Sequence, residues 1–209
     1  MAQRFYIHPD NPQLRLMREA ARILKGGGVI AYPTDSCYAL GCAIGHKDGM
    51  DRIRALREVD DKHHFTLVCR DLSEIATYAR VDNAQYRILK AATPGSYTFI
   101  LEATREVPRR LQHPKRSTIG IRIPDHAVVS TLLAEVGEPI LSMSLILPGE
   151  EIPLLDPEEI VDTLGSRLDL VMDAGHCGGE PSTVVDLSSG APELVRRGRG
   201  ELARVGLDG

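Results

Sequence analysis

The 209-residue chain contains no tryptophan, and aromatic residues make up 4% of it. Aliphatic side chains must therefore fill the core, and little is left for the aromatic platforms on which unpaired bases stack. Single-strand binding led by stacking is disfavoured. No run approaches the roughly 20 apolar residues that a membrane helix needs, and the first residues lack the apolar stretch of an export signal. The expectation is a soluble, cytoplasmic protein with no membrane partner. Four cysteines, Cys37, Cys42, Cys69 and Cys177, include no C-x-x-C pair, which points to reduced thiols rather than a disulfide framework. Neither G-x-x-x-x-G-K-S/T nor G-x-G-x-x-G occurs, so any nucleotide is held by another device. A formal net charge of −4 argues against an overall cationic coat, although it hides local clusters.

What is present suits one α/β domain spanning 1–209, with 43% hydrophobic residues to fill its core. Asn11 and Pro12 predict a cap and first-turn proline for a helix that runs with apolar Leu14, Met17, Ala21 and Leu24 to Gly26. Further helices are expected at 48–57, 83–92, 126–136 and 157–164, and Asp71 with Glu74 predicts a capping box opening another to about residue 78. Strands are expected at 29–32, 65–69, 97–102, 119–123, 140–144, 169–173 and 183–187. This mixed order favours an open twisted sheet flanked by helices. Residues 148–157 read as an exposed loop.

Four stretches carry chemistry. In Y-P-T-D-S-C-Y-A-L-G, residues 32–41, Thr34 and Ser36 offer hydroxyls; Asp35 offers an acceptor that either closes an Asx-type turn or meets a substrate ammonium. Arg54, Arg57 and Lys62 cluster around a helix end, where they either favour the helix dipole or reach phosphates or a carboxylate. His63 and His64 read as exposed loop residues. Residues 104–124 hold Arg105, Arg109, Arg110, Lys115 and Arg116, a basic run suited to phosphate contact, and then Arg122, which alternates with Ile121 and Ile123 along a strand. In G-H-C-G-G-E-P-S-T, Gly175, Gly178 and Gly179 permit either close backbone approach to a phosphate or a tight turn, and Ser182 and Thr183 bring hydroxyls. A zinc site from Cys37, Cys42 and His46 lacks a fourth partner, and Cys37 reads as a small buried residue rather than a nucleophile.

In order, PTDSCYALG, TPGSYTFIL, GIRIP and EPSTVVDL resemble the motifs of the YrdC/YciO family, most closely its YciO branch, over a core of about residues 15–200. The resemblance implies a single YrdC-like domain with a large positively charged concave face. It also implies synthesis of threonylcarbamoyl-AMP from L-threonine, bicarbonate and ATP with Mg2+, with no metal held by protein side chains alone. That adenylate feeds threonylcarbamoyladenosine modification of tRNA. By matched position, Thr34 contacts threonine, Arg57 serves the amino-acid carboxylate or the phosphates, and Arg122 faces the same cleft. Ser182 and Thr183 lie near phosphate or ribose, and Arg196 closes over the nucleotide. Two positions depart from the synthases: Ala55 stands where K-x-R has lysine, shifting that cation to Arg54 or Lys62, and S-x-N reads Ser142-Met143-Ser144. Two alternatives remain open. One is a non-catalytic binder of double-stranded RNA or tRNA that uses the concavity with Arg105, Arg109, Arg110, Lys115 and Arg116. The other is an enzyme acting on a related carbamoylated nucleotide or modified tRNA.

Overall fold

A computed structural model describes residues 2–60 and 63–207. Ten strands form one mixed sheet: β1 (Gln3–Tyr6), β2 (Ile30–Tyr32), β3 (Ala39–Ala43), β4 (Thr66–Val68), β5 (Tyr97–Glu102), β6 (Thr118–Arg122), β7 (Ile140–Ser144), β8 (Leu170–Asp173), β9 (Thr183–Asp186) and β10 (Glu193–Arg196). Their spatial order is β1-β8-β2-β3-β7-β4-β6-β5-β9-β10. The helices are α1 (Leu14–Lys25), α2 (Lys47–Arg57), α3 (Leu72–Tyr78), α4 (Asn83–Ala92), α5 (Ala127–Val136) and α6 (Pro157–Leu164). The expected flanked open sheet is the observed fold.

Strand periodicity divides the core in two. Ile30, Tyr32, Ala39, Val68, Ile140, Leu170 and Met172 pack with α1 and α5. Their neighbours Ala31, Leu40, Leu67, Leu141 and Val171 face a second layer that includes Met50 and Ile53 of α2, Leu89 of α4 and Ile160 of α6. Such two-sided burial leaves β2 and β3 without a serine, threonine or charged residue.

The first layer does not cover its whole face. Beyond Val68 and Ile140, the residues in phase with them are Thr66, Ser142 and Ser144; the register then continues through Gly120, Thr118 and Arg122 of β6 to Thr98 and Ile100 of β5. These residues line an open cavity. The polar stripe on otherwise apolar strands is therefore the floor of a hollow left where no helix lies over the sheet.

Three strands have no counterpart in the sequence pattern. β3 is buried along its whole length and combines Gly41 with small residues, while β1 and β10 are edge strands with partly or wholly exposed residues. At α1 the cap position is Gln13, with no side-chain bond, and the Asn11 N–H donates instead to His8 Nδ1 at 3.1 Å. The Asp71 cap accepts from the Glu74 N–H as expected, but Glu74 returns its bond to the Arg70 N–H rather than to Asp71. The 148–157 loop is exposed over 148–152 only, since Pro153 and Leu154 are buried and Pro153 bridges Ile146.

Candidate functional site

The cavity holds about 290 Å3, near the lower end of the size range of small-molecule sites. Arg57, Arg116, Arg122 and Arg196 line it together with Ser142, Ser144, Ser182 and three threonines, and no carboxylate is among the described lining residues. The arrangement suits an anion, because fixed cations and hydroxyl donors face a space that presents no opposing charge.

One wall begins at the corner after β2. Thr34 Oγ1 donates to the Cys37 carbonyl at 2.7 Å and accepts the Ser36 and Cys37 N–H groups, each at 3.2 Å. Thr34, not Asp35, closes this turn. Asp35 is thereby turned toward β6, where its Oδ1 accepts from Arg122 Nη2 at 2.7 Å and its Oδ2 from the Asp125 N–H at 3.0 Å. Ser36 Oγ accepts a second bond from Arg122 Nη2 at 3.1 Å. The remaining Nε–H of Arg122 is buried without an acceptor among the described residues, as is that of Arg57. A buried guanidinium donor left unmet is costly.

Arg57 stands at the C-terminal end of α2 and donates Nη1 to the Ser144 carbonyl at 2.6 Å. Burial pulls its pKa down. The Arg196 pKa is lowered as well, by burial first and then by repulsion from Arg122, so these guanidiniums lack full compensation for lost water. Burial also pushes the Tyr32 hydroxyl up to about 12; it stays protonated and donates to Ser142 Oγ at 2.6 Å. At Cys37 burial raises the thiol pKa, with Arg122 opposing, which disfavours a thiolate nucleophile.

Arg196 is positioned by the strap R-R-G-R-G, residues 196–200. Its Nη2 donates to the Ser182 carbonyl at 2.9 Å, and Ser182 Oγ shares a hydrogen bond with Thr98 Oγ1 at 2.8 Å. Thr183 Oγ1 accepts the Gly198 N–H at 3.1 Å and donates to the Gly200 carbonyl at 2.7 Å. Arg199 Nη1 reaches the Asp35 carbonyl at 2.8 Å. The strap lies flush on the sheet, so a Cβ on Gly198 would strike the Pro181 carbonyl and one on Gly200 the Tyr97 ring.

Of the sequence-derived candidates, Arg57, Arg122, Ser142, Ser144, Ser182 and Arg196 converge on this cavity. Thr34 and Thr183 do not line it; both are buried, with their hydroxyls engaged in the turn and the strap. Arg54 is also absent from the lining and stands over the Phe65 ring at 5.3 Å. Lys62 lies outside the described residues. Of the basic run, Arg116 lines the cavity while pairing with Asp186 at 2.9 Å; Arg105, Arg109, Arg110 and Lys115 are exposed on the connection from β5 to β6. The glycines at 175, 178 and 179 are not in the lining, and Gly175 turns with φ of +85°. No group of three or more His, Cys, Asp or Glu side chains placed to hold a metal occurs among the described residues.

Sequence reasoning missed His113 as a lining residue and gave His63 and His64 no place at the site. All three are there, His63 and His64 as the exposed loop residues the sequence implied. The only signal was their position beside the two basic segments.

The family model Sua5_yciO_yrdC, described as telomere recombination, matches residues 22–198. An uncharacterized protein of Haemophilus influenzae is 57% identical over 204 residues, covering 97% of this chain and 99% of that protein. The uncharacterized protein YciO of Escherichia coli K12 is 54% identical over 202 residues, with 97% and 98% covered. The crystal structure of E. coli YciO has a TM-score of 0.94 at 53% identity, covering 98% of this chain and 100% of that one. P. abyssi Sua5, crystallised with L-threonine, shares the fold with a TM-score of 0.86 at 21% identity, over 93% of this chain and 57% of that one.

Proposed function

The chain belongs to the Sua5/YciO/YrdC family, and on that premise we propose that its arginine-lined cavity binds a nucleoside phosphate and makes threonylcarbamoyl-AMP for tRNA modification. The observation that carries this reading is the convergence of Arg57, Arg122 and Arg196 with Ser142, Ser144 and Ser182 on a cavity whose described lining residues include no carboxylate. A phosphate oxygen is the acceptor that such donors favour. Further support is that P. abyssi Sua5, which shares the fold, binds L-threonine.

The chemistry asks little covalent work of the protein. Bicarbonate carboxylates the threonine amine with loss of water, a carbamate oxygen attacks the α-phosphorus of ATP, and pyrophosphate leaves. Magnesium enters with ATP as the substrate complex. The chain's own task is to hold anions in line and offset charge developing on phosphate. Arg57, Arg122 and Arg196 supply that charge, while the Ser142, Ser144 and Ser182 hydroxyls orient substrate oxygens. Where the synthases have an amide, Ser144 offers its hydroxyl, and its carbonyl fixes Arg57.

Purified protein should release pyrophosphate only when ATP, L-threonine and bicarbonate are all present. Arg57→Ala should slow this by about 10- to 100-fold, the value of a charge-assisted hydrogen bond. Pyrophosphate release indifferent to threonine and bicarbonate, or none at all, would refute the synthase reading. A second reading, RNA binding without turnover, is favoured by one observation: Arg105, Arg109, Arg110 and Lys115 are exposed together on the connection that also carries cavity residues His113 and Arg116.

A further inference from the structure

Three imidazoles line the same cavity as the arginines. His64 and His113 stand with ring centroids 5.1 Å apart, and His63 precedes His64 in the chain. Their roles differ. His113 Nδ1 accepts the N–H groups of Lys115 at 3.2 Å and Arg116 at 3.1 Å, which ties its ring to the chain. Among the described residues, no comparable bond restrains His63 or His64.

We propose that His63, His64 and His113 form a proton-coupled polyphosphate subsite: an inorganic or nucleotide polyphosphate seated there binds together with protons taken up by His63 and His64, beside the tethered ring of His113. The inference rests on the nucleotide reading and adds a place and a proton count for the phosphate chain.

The surrounding charges set the direction. Burial lowers the His63 pKa, Arg57 and His64 lower it further, and Asp60 opposes them. Burial likewise lowers that of His64, followed by His113, Arg116 and Arg54. Both shifts disfavour the protonated imidazole in the free protein. A polyanion reverses the local balance of charge and raises both. Protons are then taken up on binding, and affinity falls as pH rises, by about 10-fold per pH unit for each proton coupled.

Calorimetric titration with tripolyphosphate, ATP and AMP, in two buffers of different ionisation enthalpy at pH 7.5, reads the proton count directly. Comparison with the double variant His63→Gln/His64→Gln subtracts the ligand's own ionisation. The expected result is uptake of about one to two more protons by the parent than by the variant with tripolyphosphate and ATP, and a flatter pH dependence in the variant. Equal proton counts in parent and variant, with AMP still bound, would overturn the subsite and leave the nucleotide reading standing. Failure of AMP and ATP to bind at any pH would overturn both.

Discussion

Replacing Asp35 with alanine perturbs the contact from which the cavity wall is built. The Asp35 and Arg122 side chains are only 8% and 9% exposed, and their 2.7 Å ion pair is charge-assisted. Alanine leaves Arg122 buried with the 3.1 Å bond to Ser36 Oγ as its remaining side-chain partner, and it also strips the acceptor from the Asp125 N–H. Removing one member of a buried pair costs about 3–5 kcal/mol, because the surviving charge stays out of water without compensation. The Ser36 bond argues for the lower end. A loss of about 3 kcal/mol in a chain of this size lowers Tm by about 6–12 °C. Differential scanning calorimetry of the parent, Asp35→Ala and Asp35→Ala/Arg122→Met provides the assay. The double variant should recover much of the loss, since methionine can occupy the arginine's volume without its charge. A single variant within about 1 °C of the parent, or a double variant no better than the single, would refute the reasoning.

Other outcomes follow from the same structure. Gly200→Ala places a methyl against the Tyr97 ring; it should cost about 1–3 kcal/mol of stability and weaken nucleotide binding by loosening the strap that carries Arg196, as equilibrium unfolding and AMP titration would show. If the exposed cations bind duplex RNA, alanine at Arg105, Arg109, Arg110 and Lys115 should lower the slope of log K against log salt by about 1 for each phosphate no longer engaged. A filter-binding series across salt concentrations checks this.

Much of the fold was legible because the signals were local. Pro157 after Asp156 marks the start of α6, Asp71 caps α3 through its own side chain, and the β5 and β7 spans follow from their residue types alone. The edge strands β1 and β10 were not legible, because their pairing partners, Leu170–Asp173 and Thr183–Asp186, lie far along the chain or across a turn with little apolar demand. At the site, alternation with Ile121 and Ile123 was enough to aim Arg122 away from the core. Thr34 and Thr183 illustrate the opposite case. A hydroxyl in a motif looks the same in sequence whether it faces a ligand or closes a turn, and only the three-dimensional partners, the Cys37 carbonyl and the Gly200 carbonyl, decide. The histidine wall depends on the approach of the β5–β6 connection to the segment before β4, a tertiary contact that no periodicity encodes.

The central claim is that the Arg57 and Arg122 guanidiniums line an anion site. Arginine Nε–H resonances followed by 1H–15N NMR during AMP titration test it most directly, with Arg80, exposed and paired with Glu102, as the internal reference. The account predicts that the Arg57 and Arg122 signals shift and exchange more slowly with water while Arg80 is unchanged. Saturation with AMP that leaves both signals where they began would contradict it.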